Sequence, residues 1–397
     1  MLNQRNEVLE EVRDHFQKQF RKRNTRSTNL PEQWEEAYKP LRKVDTKIYD
    51  SLENEVSEEE WTEAFRRTKS KSALGLSGIS YLLIKKVEPI VQKVFRYLAN
   101  MCIGEGKIPV KWKLSQLYLI PKGEDWNFDL SNVHLIVLIE TFYKTVVRVL
   151  TQRLDKIMVE HNILEGPNYA DLSGNSTASL VHIMNNILED ARQKNNELWI
   201  LFQDMRKAFD SVGLEMLKKS LERIKLPKNA VSFILSLYEK RKIKVITNFG
   251  LTKEFEAKDG LDQGEVISPL AWRIFYDPLL CTVQKTKNLG YEMTTKWPTD
   301  ITYNLTKELS HRQAVLAYAD DTTWIAKSKK ELQDIINISN EFYEINDIEI
   351  NSKKSELIAI NVNKKCKGED QLAIIIGKSQ SKVYAKKETD LARHLGV

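Results

Sequence analysis

Apolar residues recur along this chain with two different periods, and each change of period marks an element. Val8, Val12, Phe16 and Phe20 fall on every fourth position, which predicts an amphipathic helix near the N-terminus. Asn24 to Glu35 is polar and contains Pro31, so it reads as a linker. Ser57 followed by Glu60 has the spacing of a capping box and starts a second helix. Further helices are predicted over about 88–101, on the stripe Tyr143, Val146, Val147, Leu150 and Leu154, and over 180–191 with Ser176 as N-cap. Leu214, Leu217, Leu221 and Ile224 predict another, as do Val231, Ile234, Leu235 and Tyr238, and later Ile335, Ile338 and Phe342. Ser268-Pro269 has the form of an N-cap serine with proline at the first helical position. Continuous apolar runs at 117–120, 132–138, 198–202 and 357–360 predict buried strands. Residues 242–246 alternate lysine and aliphatic residues, as a strand facing an anionic duplex does, or any half-exposed strand.

The stretch from Ala314 to Ala326 departs from these patterns. Two apolar runs flank Asp320 and Asp321, which predicts a tight β-hairpin with both carboxylates at its tip. Like charges on so short a turn repel, a cost with no structural return, unless a hard divalent cation lies between them. Asp204, just past the apolar run 198–202, is the natural third carboxylate of such a cluster. Three acids from two strands suit two-metal phosphoryl transfer. An Asp-Asp pair used only for its turn chemistry is the competing expectation.

Composition narrows the class. With 397 residues, 42% hydrophobic and 29% charged, the chain is globular and long enough for two or three lobes. A net charge of +6 leans only modestly toward a polyanionic partner. Cys102, Cys281 and Cys366 are widely spaced, so neither a zinc motif nor a disulfide framework is expected, and a reducing intracellular setting, nucleus or cytoplasm, fits. No apolar run approaches a membrane span, and no secretory or transit signal is evident.

The motifs together resemble the reverse transcriptases of non-LTR (LINE-type) retrotransposons. Tyr318-Ala319-Asp320-Asp321 matches the family's Tyr-x-Asp-Asp signature, and the segment from Phe202 to Val212 matches its first palm motif. Gly260-Leu261-Asp262-Gln263-Gly264 with Ser268-Pro269-Leu270 matches the second; Asn351 to Glu356 and Ile120-Pro121-Lys122 match others, in family order. The resemblance covers roughly 57–397 and implies an α+β right-hand polymerase, with an antiparallel palm sheet packed on helices. It implies a helical extension at 1–56, fingers at 57–200 and palm at 201–397, the stretch at about 225–262 lying near the fingers, with the chain ending before the thumb. It further implies an RNA-directed DNA polymerase that extends a DNA primer on an RNA template with dNTPs. By resemblance, Asp204, Asp320 and Asp321 hold two Mg2+ ions, and Phe209 is a steric gate against a 2′-hydroxyl. Gln263 and Gly264 line the templating base pair, while Lys122, Lys354 and Tyr318 lie about the incoming nucleotide.

Departures from the family pattern carry a second expectation. His134-Leu135-Ile136 stands where Arg-Pro-Ile is usual, removing a triphosphate-binding arginine. Residues 71–78, 171–177 and 394–397 also differ from family loops, several by changes that one codon transition explains. The alternative is therefore a catalytically impaired nucleic-acid-binding remnant of such an element.

Overall fold

The computed structural model describes residues 5–362 and 372–386, except 67, 71, 124–125, 175 and 301–304. Lys71, Asn175, Cys366 and the segment His394–Val397 lie outside the described residues. In chain order the helices are α1 (Arg5–Gln19), α2 (Glu32–Ala37), α3 (Glu58–Arg66), α4 (Tyr81–Lys86), α5 (Pro89–Gly104), α6 (Thr141–Glu160), α7 (Thr177–Lys194), α8 (Leu214–Arg223), α9 (Lys228–Tyr238), α10 (Ser268–Lys285) and α11 (Lys329–Ile345). The strands are β1 (Leu114–Pro121), β2 (Val133–Leu138), β3 (Leu198–Gln203), β4 (Arg241–Thr247), β5 (Gly250–Leu251), β6 (Phe255–Ala257), β7 (Tyr291–Asp300), β8 (Leu305–Gln313), β9 (Val315–Tyr318), β10 (Asp321–Ala326), β11 (Glu356–Ile360), β12 (Ala373–Ile376) and β13 (Ser381–Tyr384). This is an α+β protein, as expected, and it forms two compact units through which the chain passes more than once.

One unit comprises Met1–Ser27, Tyr38–Ile163 and Phe209–Phe275. Its sheet runs β2-β1-β4-β5, with β6 also on β4; β1 is antiparallel to β2 and parallel to β4. Leu117, Leu135, Val137, Ile243 and Val245 are buried, while Tyr118, Ile120, His134 and Ile136 remain exposed. The alternation in β4 is thus that of a half-exposed strand, with Lys242 paired to Glu254 at 2.5 Å. The capping box forms reciprocally: Ser57 N–H donates to Glu60 at 3.0 Å, and Glu60 N–H to the Ser57 hydroxyl at 3.2 Å.

The other unit comprises Thr28–Ala37, Leu164–Ala208 and Tyr276–Val397. Its principal sheet is wholly antiparallel, in the order β11-β3-β10-β9. Leu180, Met184, Ile187 and Ala191 of α7 pack with Leu198, Ile200, Leu316 and Ile325 of the sheet. From α11, Ile335, Ile336, Phe342 and Tyr343 are buried as well. Central β3 is almost wholly buried, which is why its sequence is a continuous apolar run rather than an alternation. At its end, Gln203 accepts hydrogen bonds from the Trp324 indole and the Tyr343 hydroxyl; Tyr276 joins the network through Tyr343 at 2.8 Å and Thr322 at 3.1 Å. These buried hydrogen bonds favour one packing arrangement beneath the end of the sheet, although the Gln203 Nε2 has no partner among the described residues.

Two local expectations are corrected. Residues 24–35 are not all linker: Glu32–Ala37 is helical, and Trp34 is buried 5.3 Å from the Phe342 ring with its indole donating to Glu341 at 2.7 Å. One aromatic in six residues has no period to read, so only the tertiary contact reveals the helix. Ser268 is the first helical residue rather than the cap, and its hydroxyl pairs with that of Tyr238 at 2.9 Å. The ribbon β7–β8 and the pair β12–β13 lie outside the predicted elements; β7 and β8 alternate too weakly to separate from loop, whereas the apolar run of β12 does carry a strand signal.

Candidate active site

The hairpin forms where the sequence places it. β9 ends at Tyr318 and β10 begins at Asp321, opposite it, so Ala319 and Asp320 make the turn. Ala319 has φ +54, a left-handed conformation that costs an alanine about 1–2 kcal/mol. The carboxamide of Asn168 braces the two peptide groups on either side of the Ala319 Cα: Ala319 N–H donates to Asn168 Oδ1, and Asn168 Nδ2 donates to the Ala319 carbonyl, each at 3.2 Å. Asn168 is buried and forms an isolated bridge with Ala317. Nothing in a lone asparagine after Gly166-Pro167 marked it in the sequence.

Asp204 follows β3 directly. Since Gln203 pairs with Thr322, Asp204 comes level with Asp321 across the β3–β10 ladder. A second asparagine fixes it: Asn351 Nδ2 donates to its carboxylate at 2.8 Å, and Asn351 N–H to its carbonyl at 2.9 Å. The Asp204 N–H donates to Ser355 Oγ at 3.2 Å. The Asn351–Glu356 motif therefore acts locally by holding Asp204, with Lys354 exposed in the same turn.

The electrostatics are those of uncompensated negative charge. Burial, then the charges of Asp321, Asp204 and Asp171, pushes Asp320 up to about 6. Asp321 is also raised, by desolvation and by Asp204. Among the described residues, no lysine or arginine contributes to either shift. The donor set, all carboxylate oxygen and short of positive charge, suits a hard divalent cation. Among the described residues, however, no three acid, histidine or cysteine side chains are drawn together closely enough to hold an ion as they stand. Asp171 has φ +62, in the left-handed region that favours glycine.

Other expected residues belong to the unit that contains β1. Phe209 is half-buried and stacks on Trp272, centroids 5.5 Å apart and planes at 28°. The Gln263 carbonyl accepts from Val137 N–H at 2.8 Å. Gly264 has φ +117, and a Cβ there would stand 2.9 Å from the Val137 carbonyl, so only glycine lets this loop close on β2. Lys122 is exposed, its N–H tied to the Asn132 carbonyl at 2.9 Å. His134 is exposed on the same ribbon, across from Ile120, so it is not a core histidine. Tyr318, in the unit of the acidic turn, is half-buried.

Comparison with known proteins agrees with the motifs. A family model described as reverse transcriptase (RNA-dependent DNA polymerase) matches residues 120–390. The Pol polyprotein of the type-1 retrotransposable element R2 from Popillia japonica is 23% identical over 290 residues, covering 73% of this chain and 37% of that protein. The uncharacterized 149 kDa protein of transposon TX1 from Xenopus laevis is 23% identical, covering 76% of this chain and 22% of its own length. A probable RNA-directed DNA polymerase from transposon BS of Drosophila melanogaster is 25% identical over 56% of this chain and 24% of that protein. Apo telomerase from Candida tropicalis, truncated from its C-terminal domain, superposes with a TM-score of 0.44 at 15% identity, covering 74% of this chain and 60% of that one. The chain thus spans roughly a fifth to two-fifths of the length of these curated relatives. With the model matching well over half of its length, and with every acid of the hairpin cluster inside the match, the chain belongs to the reverse transcriptase family.

Proposed function

We propose that this chain is the RNA-directed DNA polymerase domain of a retrotransposon-type element, adding deoxynucleotides to a primer 3′-hydroxyl on an RNA template. The observation that carries the proposal is the acidic end of the β11-β3-β10-β9 sheet, where the charge of Asp204 acts on Asp320 and Asp321 and, among the described residues, no basic side chain offsets it. Asp204, Asp320 and Asp321 would hold the divalent ions, two Mg2+ in this reading. Bound there, such ions lower the pKa of the attacking hydroxyl and neutralise the triphosphate. Asn351 keeps Asp204 at the end of β3. Phe209, stiffened by Trp272, serves as the gate under the sugar, and the loop at Gln263–Gly264, fastened to Val137, lies along the templating pair. Lys122, Lys354 and Tyr318 are the nucleotide-side residues. The fingers would be drawn from residues 57–200 and the palm from 201–397. Among the described residues no helix is long and apolar enough to cross a membrane.

The second reading, an impaired remnant, is favoured by His134, which is exposed on the β1–β2 ribbon where an arginine is expected. Primer extension on an RNA template, with and without EDTA and with dNTPs against NTPs, separates the two. Metal-dependent DNA synthesis supports the polymerase. Template binding without extension supports the remnant.

A further inference from the structure

We propose that Asn168 is a positioning residue of the polymerase, a hydrogen-bond clamp that sets the aim of Asp320 and Asp321. The inference rests on the polymerase reading above but is carried by geometry of its own. Asn168 is buried at an isolated bridge to Ala317, and its side-chain amide is turned to the acidic turn. Its Oδ1 accepts from Ala319 N–H at 3.2 Å and from Ala170 N–H at 3.1 Å, while its Nδ2 donates to the Ala319 carbonyl. The two peptide groups that flank Ala319, the residue immediately before the acidic pair, are thereby both fixed. The segment carrying Asn168 is itself fastened to β9: Tyr169 N–H donates to the Ala317 carbonyl and Ala317 N–H to the Pro167 carbonyl, each at 2.8 Å. Gly166 N–H donates to buried Asp277 at 2.8 Å, and a Cβ on Gly166 would meet Leu280 at 2.7 Å. The clamp therefore has a rigid base.

Its purpose follows from what it holds. Ala319 is left-handed, a conformation an alanine leaves readily unless something opposes the change. Relaxation of that one residue would swing the peptide leading into Asp320, and with it two mutually repelling carboxylates. Catalytic groups lose much of their effect when displaced by an ångström, with little change in how tightly substrate binds in the ground state. Asn168 thus acts through the turn and touches no reacting atom.

The test compares the parent chain with Asn168→Leu, which keeps the size and removes both bonds to Ala319 along with the one from Ala170 N–H, and with the double variant Asn168→Leu/Ala319→Gly. Glycine adopts positive φ without strain, so it restores the turn without the clamp. Amide hydrogen exchange at residue 319 is measured beside nucleotide kinetics. In Asn168→Leu we expect exchange at Ala319 to quicken by about tenfold or more, and kcat to fall by about tenfold with KM for dNTP changed less than about twofold. The glycine should return a substantial part of that kcat. Should Asn168→Leu not fold, Asn168→Asp, which sets an oxygen against the Ala319 carbonyl, takes its place in both arms. Parental kcat in a folded variant overturns the proposal, as does a loss of kcat that the glycine leaves untouched or unchanged exchange at Ala319. A parent chain that extends no primer instead defeats the polymerase reading, and the exchange arm still judges the clamp.

Discussion

Two acidic groups in this protein are built on opposite principles. In the loop 259–265, Asp259 accepts backbone N–H bonds from Arg23 at 2.6 Å and Leu214 at 3.0 Å. Asp262 is locked to the Arg241 guanidinium, which also reaches the carbonyls of Asp259 and Gly260 at 3.0 and 2.9 Å. Glu265 is matched less fully: its Oε1 accepts from Val266 N–H at 2.7 Å, its buried Oε2 has no hydrogen-bond partner among the described residues, and burial pushes its carboxyl up to about 7. At the end of the antiparallel sheet, Asp204, Asp320 and Asp321 are more accessible, and among the described residues Asp204 is held by asparagine and serine while no basic side chain offsets the repulsion felt by Asp320 and Asp321. Asp259 and Asp262 are matched from within, since an unmatched buried charge costs several kcal/mol. In the polymerase reading, the acids at the half-open sheet end would be matched from outside, by a bound cation.

The comparison breaks most sharply through the unmatched group. Asp204→Asn or Asp320→Asn should reduce metal-dependent primer extension by roughly a hundredfold or more, the scale of losing one electrostatic contact to the transition state. Circular dichroism of both variants should match the parent, and extension at the parental rate would remove these carboxylates from the chemistry. The matched group should respond the other way. Arg241→Leu leaves Asp262 buried without its partner and should lower stability by about 3–5 kcal/mol in urea unfolding. A loss below about 1 kcal/mol would mean that the pair is ornamental.

Dependence on pH sharpens the contrast. Asp320 has a folded-state pKa near 6, above its ordinary value of 3.8, so the folded protein holds this proton more tightly than the unfolded chain. Stability from this group is therefore greatest at low pH and is lost as pH rises through about 6. Asp320→Asn should flatten that slope and stabilise the metal-free protein at pH 7 by on the order of 1 kcal/mol, a figure discounted for partial solvent access. Thermal melts of parent and variant between pH 4 and pH 7 decide it, and parallel curves would refute the electrostatic account. The smallest effect is expected at Asp171. Asp171→Gly relieves a residue at φ +62 and removes one of the charges acting on Asp320. Stability should rise by roughly 0.5 kcal/mol, and the Asp320 carboxyl, followed by NMR titration, should ionise below the parental value of about 6. An unmoved Asp320 would show that the Asp171 charge does not reach it.

What the sequence determined by itself is everything local and periodic. The apolar run 198–202 had to be a doubly covered strand, Ser57 and Glu60 had to cap a helix, and Asp320-Asp321 between two apolar runs had to be a hairpin tip. The ordered motifs carried the family for the same reason: chemistry at fixed spacing is written in order along the chain. Only the tertiary structure decided what crosses long separations. Asn168 reaches Ala319 across 151 positions and lies in no pattern that would single it out; Asn351 reaches Asp204 across 147, and although it opens a family motif, that motif does not say which group it holds. Trp34 finds Glu341 across 307 positions, turning an apparent linker into packed helix. An asparagine side chain can bond almost any backbone group, so its partner depends on which strand the fold lays beside it.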